Sequence, residues 1–342
     1  MPRIRVSSCM LLIILTTQAP YPAALQVKQV TCNGWRDAWR LRNAQCEMVI
    51  VPQVGRVMSF ARIGGKSVLW NNAAIQGQTV LKDDHEWHNF GGDKVWPTQQ
   101  DWWEWYTDRK GWPPPYFSDA APQTAEPIEG GVRMTSPKSP EFGTRTIREF
   151  VMDADKPLVY VRQWFKKEDG RPVTMSLWTV TQVRKPDYAI LPAGPLTDGR
   201  PYKMLGEIVP SRLKLSAGCV AIRNDEQKPQ KIGTALDAAN QSDWVAGVFG
   251  DELFIESRRV GTPDPNYPDG NCQGEIYTAP ARDGSYVELE LLSPLRDLKP
   301  GETLRDDAVW QIIRLKQNAP EQAAAEARQA HAVGLSLLSR QG

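Results

Sequence analysis

The chain has 342 residues, of which 41% are hydrophobic and 24% charged, with 13 tryptophans and a formal net charge of +1. This balance excludes the basic surface of a nucleic-acid-binding protein, and the hydrophobic content excludes a disordered chain. Beyond the N-terminus, no apolar run approaches the roughly 18 residues that cross a membrane. We therefore expect a globular protein that binds no nucleic acid and does not insert stably into a membrane.

Residues 1–24 have the pattern of a secretory signal peptide. Arg3 and Arg5 precede a short apolar stretch, and Ala23 and Ala24 supply small residues near a cleavage point. Cleavage would remove both arginines and move the formal charge from +1 to about −1 (1 − 2). The sequence therefore predicts a periplasmic or secreted protein.

Four cysteines remain after cleavage, an even number that suits an oxidising compartment. They allow three pairings, and Cys32 and Cys46 lie near the ends of two strand-like runs. We expect the pairs Cys32–Cys46 and Cys219–Cys272. The cysteines are too far apart in sequence for a typical zinc site, so no metal is predicted there.

Strand signals dominate the rest of the chain. Short β-branched or aromatic runs bounded by Gly, Pro or Asp clusters occur at residues 46–51, 56–60, 158–165, 173–183, 253–257, 286–292 and 309–315. The 27 prolines and 26 glycines leave little room for helices before an Ala-rich segment that follows Pro320. We predict an all-β antiparallel domain over residues 25–316 and a helical tail over residues 317–342, with His331 on its surface.

Residues 87–112 contain six of the 13 tryptophans. An indole offers a rigid apolar face with a donor at its edge, which suits a sugar ring lying in a cleft. Gly91 and Gly92 allow a tight turn or a close approach to a ligand. We predict a sugar-binding loop here, although the tryptophans could instead brace the loop onto the sheet. The predicted binding residues are Asn89, Asp93, Lys94, Trp96, Trp102 and Trp103.

Two histidines in this region are candidates for chemistry. His85 and His88 would share a face only on a helix, and the segment does not look helical. A lone acid or base, His88, is therefore favoured over a metal-binding pair.

A Gly-rich turn offers a second candidate for a bound ion. Asp269, Asn271 and Glu275 are oxygen ligands of the kind calcium prefers, but they lack the spacing of a full calcium loop. We expect no cofactor, with calcium as the lesser alternative.

The strand predicted at residues 286–292 carries two acids. Its alternation places Glu288 and Glu290 on one face, and Val287 and Leu289 on the other. The glutamates could act as a general base or accept hydroxyl hydrogen bonds, or they could be solvated side chains on a half-exposed strand.

Three segments, in this order, resemble the galactose mutarotase-like superfamily, and specifically an exported branch of it. Residues 55–70 resemble the opening hairpin, residues 89–97 the loop that lines the sugar cleft of related epimerases, and residues 288–315 the terminal hairpin. The resemblance covers about residues 27–316. It implies an antiparallel β-supersandwich with a sugar cleft.

The same resemblance assigns the general base to Glu290, with Glu288 as the fallback. Members of the family share a mid-chain histidine that protonates the ring oxygen of the sugar. This chain has no histidine between His88 and His331. The corresponding strand carries no good proton donor near pH 7. Further sugar-binding residues are expected in that strand and the first hairpin, namely Trp178, Gln182 and Arg56.

These patterns favour an exported, monomeric carbohydrate-binding protein whose Trp-lined cleft lies above Glu288 and Glu290. The alternative is a sugar-active enzyme, either an aldose 1-epimerase-like isomerase or a lyase or hydrolase. It would use Glu290 as base and His88 or Lys94 as acid. A structural or interaction protein is the third interpretation.

Overall fold

The computed structural model describes residues 25–82, 84, 86–107, 112–193, 200–234, 243–259 and 266–339. The predicted signal peptide lies outside these residues. Within them the chain forms two ten-stranded antiparallel sheets and a long helix near the C-terminus. The predicted antiparallel β-supersandwich is therefore confirmed.

The strands of the described residues are numbered in chain order. They are β1 (Gln26–Cys32), β2 (Trp35–Arg42), β3 (Cys46–Val51), β4 (Arg56–Arg62), β5 (Gly92–Pro97), β6 (Thr124–Ile128), β7 (Gly131–Thr135), β8 (Thr144–Met152), β9 (Leu158–Lys167), β10 (Val173–Met175), β11 (Leu177–Val183), β12 (Tyr188–Pro192), β13 (Lys203–Met204), β14 (Leu213–Ser216), β15 (Cys219–Ile222), β16 (Gln230–Thr234), β17 (Asp243–Phe249), β18 (Glu252–Arg258), β19 (Gly274–Thr278), β20 (Val287–Leu292), β21 (Arg296–Leu298) and β22 (Thr303–Arg314).

The helices of the described residues are mostly short. They are α1 (Trp103–Tyr106), α2 (Tyr116–Asp119), α3 (Pro268–Asn271) and α4 (Pro320–Leu338), with 3-10 turns at Pro52–Val54, Ala73–Ile75, Gln100–Trp102, Pro210–Arg212 and Ala281–Asp283. No helix in the described part of the chain is both long and apolar enough to cross a membrane.

The two large sheets enclose the main core. The first sheet runs β1-β2-β3-β4-β5-β11-β20-β19-β16-β13, and the second runs β14-β15-β12-β17-β18-β22-β9-β8-β7-β6. Between them, Phe60 of the first sheet packs edge-on against Phe254 and tilts against Trp310 of the second. Strands β10 and β21 form a separate two-stranded sheet.

A tight glycine turn brings part of the predicted tryptophan loop into the first sheet as β5. Gly91 and Gly92 adopt φ values of +85° and +69°, and a Cβ on Gly92 would lie 2.3 Å from the Val57 carbonyl oxygen. Only glycine permits this close approach without strain. Strand β5 consequently lies between β4 and β11, where sequence patterning predicts a loop.

Helix α4 packs on the outer face of the second sheet. Its buried face is made of small residues, including Ala323 and Ala327, which pack in one cluster with Tyr188 and Trp244 of the sheet. His331 is only 6% exposed, so its predicted surface position is wrong. Small side chains let the helix approach the sheet closely enough to enclose this histidine.

The expected disulfides do not form, because Cys32, Cys46, Cys219 and Cys272 are all free. Cys32 pairs with the first residue of β2, whereas Cys46 starts β3 near the other end of β2. The second pair is divided between the sheets, since Cys219 opens β15 and Cys272 precedes β19. Disulfide bonds need Cα atoms within about 7 Å, which this topology does not provide.

Candidate functional site

Charged and aromatic side chains converge on the outer face of the first sheet. The register places Lys94 of β5 beside Val180 of β11, and Val180 beside Glu290 of β20. The next strand adds Glu275 opposite Glu290. Side chains of paired residues share a face, so these groups lie on the side away from the main core. Leu289 lies in that core, which confirms the predicted faces of β20.

Glu290 is held by two donors. The indole nitrogen of Trp178 donates to its Oε2 at 2.8 Å, and Nζ of Lys231 lies 3.1 Å from the same oxygen. The other oxygen, Oε1, is buried and has no hydrogen-bond partner among the described residues. Glu290 is therefore fixed through one oxygen and retains an acceptor on the other.

Lys231 also pairs with a second carboxylate, since its Nζ lies 2.8 Å from Oε2 of Glu275. Burial disfavours its charged form, but the attraction of Glu275 and Glu290 outweighs burial and raises the pKa of Lys231 well above its usual value. Burial raises the pKa of Glu275 against the opposing charge of Lys231, and the nearby acids Glu290 and Asp269 raise it further. Glu275 therefore protonates more readily than an exposed glutamate.

Glu288 and Lys94 form the second charged pair of this face. Oε1 of Glu288 accepts a 2.9 Å hydrogen bond from Gln182 Nε2 and lies 3.9 Å from Lys94 Nζ. Burial lowers the pKa of Lys94 to about 8, although Glu288 opposes the shift. Burial likewise raises the pKa of Glu288 against the opposing charge of Lys94. The pair therefore brings a weakened cation close to a carboxylate that protonates more readily than usual.

Aromatic residues surround the accessible part of this face. Tyr277 lies opposite Glu288 in the register, and its ring centroid is 6.2 Å from that of Tyr286. Tyr286 packs against Trp70 with centroids 4.7 Å apart. The predicted binding residue Asn89 accepts a 3.3 Å hydrogen bond from the Gly91 backbone N–H through its Oδ1. The Glu288 side chain retains 13% exposure, whereas Glu290 is fully buried. Glu288 is thus the more accessible acid.

The predicted sugar-binding tryptophans are mostly buried. Trp96, Trp103 and Trp178 are 3%, 1% and 4% exposed, and they pack against one another. Lys94 lies 4.7 Å above the Trp96 ring, and Trp103 donates its indole hydrogen bond to the Pro97 carbonyl. Trp103 is thus a core residue beneath the loop, and its predicted direct contact with a sugar is wrong.

The half-buried Trp102 stands apart from this group and stacks on the exposed Trp105, with ring centroids 5.3 Å apart.

His88, the predicted acid or base, contacts other residues. Its Nε2 lies 2.7 Å from Oδ2 of Asp84, and its ring stacks on Phe90. Within the described part of the chain, His88 therefore makes no recorded contact with Glu288 or Glu290. His85 lies outside the described residues.

Arg56 is buried behind the site. Its guanidinium donates a 2.7 Å hydrogen bond to Asp119, which also accepts one from Trp96 Nε1 at 2.8 Å. This arrangement fixes Trp96 from behind, so Arg56 supports the site and does not line it as predicted.

Asp93 is the clearest correction to the predicted site. It follows Gly92 on β5, and its side chain points between the sheets, where Arg148 Nη2 lies 2.6 Å from Oδ1. Thr181 donates to Oδ2 at 3.0 Å. Because side chains alternate along a strand, Asp93 cannot share a face with its neighbour Lys94. Asp93 therefore belongs to a buried polar contact between the sheets.

Sequence reasoning missed Lys231, Tyr277 and Tyr286 as site residues. Tyr277 and Glu275 flank the core residue Ile276 on β19, an alternation that could have revealed them. Lys231 lies on a short strand and reaches the glutamates only through long-range pairing. Its ammonium lies between Glu275 and Glu290, and no acidic, His or Cys cluster of the described residues is arranged to hold a metal ion.

Solved structures of galactose mutarotase-like proteins have a similar fold. A galactose mutarotase-like protein from Lactobacillus casei aligns with a TM-score of 0.54 at 9% identity, covering 81% of this chain and 100% of that one. A predicted aldose 1-epimerase from Klebsiella pneumoniae aligns with a TM-score of 0.56 at 10% identity, covering 91% and 87%.

A larger protein, a TPR-domain containing protein from Parabacteroides distasonis, aligns with a TM-score of 0.54 at 13% identity. The alignment covers 80% of this chain but only 46% of that one. The two sheets and their order thus define a protein of galactose mutarotase-like fold. By its sequence, the chain belongs to the family of the DUF4380 domain, a domain of unknown function, whose model matches residues 37–313. No curated protein matches the sequence.

Proposed function

We propose that the protein binds a carbohydrate on the outer face of the first sheet, above Val180. The observation that carries this proposal is a matched pair of unsatisfied groups, the donor Lys94 Nζ and the acceptor Glu290 Oε1. Both residues flank Val180 in the register. Their strands lie two spacings apart, roughly 10 Å, which a sugar ring with its hydroxyls can bridge. A hydroxyl both donates and accepts, so one polyol can satisfy both groups.

The charges around this position also suit a neutral polyol. Lys231 pairs with both Glu290 and Glu275, and Lys94 faces Glu288. Tyr277 and Tyr286 add rings with polar edges beside them. The fold supports the same assignment, since the similar solved structures include proteins described as mutarotase-like.

The binding test is calorimetric titration with a panel of neutral mono- and oligosaccharides, followed by tryptophan fluorescence. Glu288→Gln keeps the side-chain shape but removes the charge, and we expect it to weaken binding about 10- to 100-fold, the equivalent of one charged hydrogen bond. The control is Glu129→Gln, at an exposed position in the β6–β7 turn. Equal affinities for both variants, or no binding by any sugar, would refute the proposal.

A second candidate function is catalysis on a sugar, supported by the 3.9 Å approach of Lys94 and Glu288. A lysine with a pKa of about 8 can give up a proton near neutral pH, and the nearby carboxylate can accept one. Glu290 is the alternative base. Mutarotation followed by polarimetry should then slow about 10²- to 10⁴-fold in Lys94→Met, while sugar binding persists. If the protein binds sugars without any turnover, only the carbohydrate-binding function is supported.

We also propose that the protein is exported, on the basis of the signal-like pattern in residues 1–24. Expression of the full chain in a Gram-negative host should yield a periplasmic or secreted product cleaved near Ala24. Intact-mass measurement of that product provides the test, and an uncleaved cytoplasmic product would contradict it.

A further inference from the structure

A second cavity, of about 220 Å³, lies on the other side of the molecule from the candidate site. It opens between the start of α4 and the strands β14, at the edge of the second sheet, and β15 beside it. Its lining includes Tyr188, Arg212, Lys214, Arg223 and Pro320. The outer face of the second sheet therefore carries a cavity separate from the proposed sugar-binding face.

The strand register explains why basic side chains meet there. Ile190 pairs with Ala221, and Ala221 with Lys214, so their side chains share the face that α4 covers. Tyr188 precedes Ile190 by two residues and lies on the same face. Arg223 follows Ala221 by two residues and is joined to Arg212 by a 2.9 Å backbone hydrogen bond.

The side chains that line the cavity include three cations and no carboxylate, and acids neighbour it. Arg212 pairs with Asp225 at 3.3 Å, and Lys214 pairs with Glu321 at 2.9 Å. The guanidinium of Arg223 has no ion-pair partner in the part of the chain that the structure describes. Asp187 is a third carboxylate near Tyr188, so Arg223 is a basic group without an ion-pair partner in surroundings whose charges balance overall. The first turn of the 19-residue helix α4 adds its positive dipole end at Pro320, after an Ala319 that cannot cap it.

Tyr188 supplies an independent observation. It is 2% exposed, and its hydroxyl is buried with no hydrogen-bond partner among the described residues. Burial raises the pKa of Tyr188 to about 12, with the charges of Asp187 and Glu321 adding to the shift and Arg223 opposing it, so the hydroxyl remains a donor at neutral pH. Buried polar groups are normally satisfied, and an unsatisfied donor in a cavity indicates a missing acceptor.

We propose that this cavity binds a small oxyanion group, carboxylate, sulfate or phosphate, which pairs with Arg223 and accepts a hydrogen bond from Tyr188. A planar guanidinium presents two parallel donors to such a group, and the tyrosine adds a third. The acids Asp225 and Glu321 hold Arg212 and Lys214 at the sides of the cavity. The bound group therefore meets Arg223 and the helix start first.

The test uses the full chain with sodium acetate, sulfate or phosphate as probes at constant ionic strength. Binding is measured by calorimetry, and the midpoint of thermal unfolding is compared with that in sodium chloride. Sulfate and phosphate also stabilise proteins generally by exclusion from their surface, so only the difference between variants counts. The comparison among the three anions identifies which oxyanion the cavity prefers.

Three variants decide the outcome. Arg223→Gln should weaken the preferred anion at least tenfold, and Tyr188→Phe, which deletes one hydroxyl, should weaken it several-fold. Arg36→Gln removes an exposed arginine from the first sheet and should bind like the unaltered protein. Arg223 is exposed, so its replacement leaves the fold intact. Equal stabilisation of all variants by each anion, or no saturable binding, would overturn the proposal.

Discussion

The Nζ atom of Lys94 lies 3.9 Å from Oε1 of Glu288, with the lysine side chain 1% and the glutamate side chain 13% exposed. The two residues come from strands separated by β11 and by nearly 200 positions in the sequence. The order of strands in the sheet brings these two side chains close together, and this closeness sets the acid–base properties of the site. Both groups have pKa values shifted by burial toward their neutral forms, and each partially opposes the shift of the other.

The pH dependence of stability should reveal the buried lysine. With a folded-state pKa of about 8, Lys94 binds fewer protons in the folded than in the unfolded chain up to about pH 10.5. Its contribution to stability therefore rises with pH across this window. Relative to Lys94→Met, the unaltered protein should gain about 2 kcal/mol between pH 7 and pH 9.5, measured by urea denaturation.

The matched control is Lys28→Met, at an exposed position on β1. The difference in free energy of unfolding between this variant and the unaltered protein should not change with pH. In a Glu288→Gln background, the pH range over which Lys94 adds stability should move to lower pH, because Glu288 stabilises the charged lysine. A pH-independent difference between the unaltered protein and Lys94→Met would contradict the assigned environment.

The ion pair between Asp93 and Arg148 should stabilise the contact between the two sheets strongly in comparison with surface pairs. Arg148→Met leaves the buried Asp93 carboxylate without its main partner, and we expect a loss of about 3–5 kcal/mol in the free energy of unfolding. Adding Asp93→Leu should restore part of that loss, since the carboxylate that Arg148 paired is then gone while the buried Glu256 near both remains. The surface control Arg133→Met should cost no more than about 1 kcal/mol. Equal losses for Arg148→Met and Arg133→Met would refute this reading.

The turn into β5 should tolerate no side chain. Gly92→Ala combines a left-handed φ of +69° with a Cβ 2.3 Å from a backbone oxygen, and we expect a loss of about 3–4 kcal/mol. Gly64→Ala is matched in φ, at +76°, but meets nothing within 4 Å, and should cost only about 1–2 kcal/mol. Thermal and urea unfolding of the two variants provide the comparison. Similar losses would show that the close approach to Val57 is relaxed in solution.

The cysteines should behave as free thiols. Burial raises the pKa of Cys46 and Cys272 to about 12, so almost no thiolate is present at pH 8. Cys32 is half-buried and should react first with iodoacetamide in the folded protein, whereas Cys46, Cys219 and Cys272 should react only after unfolding. Intact mass should not change with reductant. A mass lower by two hydrogens before reduction would reveal a disulfide that the fold does not accommodate.

Local patterns predict strands well where one face is apolar. The alternation in β20 correctly assigns Leu289 to the core and Glu290 to the opposite face, because a period of two fixes side-chain direction. The same logic fails for β5, whose Gly, Asp, Lys and Pro residues have low strand propensity. Pairing with β4 and β11 and burial of both faces of β5 override that low propensity.

Site composition depends on pairings that no local pattern encodes. Lys231 meets Glu290 only because β19 lies between their strands, and Asp93 leaves the site only because β5 is a strand. The cysteine pairing fails for the same reason, since nearness along the chain does not establish nearness in space. Galactose mutarotase-like resemblance supplied the sheet architecture but not these side-chain contacts.

The position of β22 sets a condition on how the chain folds during synthesis. This strand pairs with β18 on one side and β9 on the other, so it joins the two halves of the second sheet. Until the ribosome has released residues 303–314, β18 and β9 each present an open edge capable of pairing with another chain. Closure of the second sheet is therefore a late event, and a nascent chain stalled before β22 would be prone to aggregate.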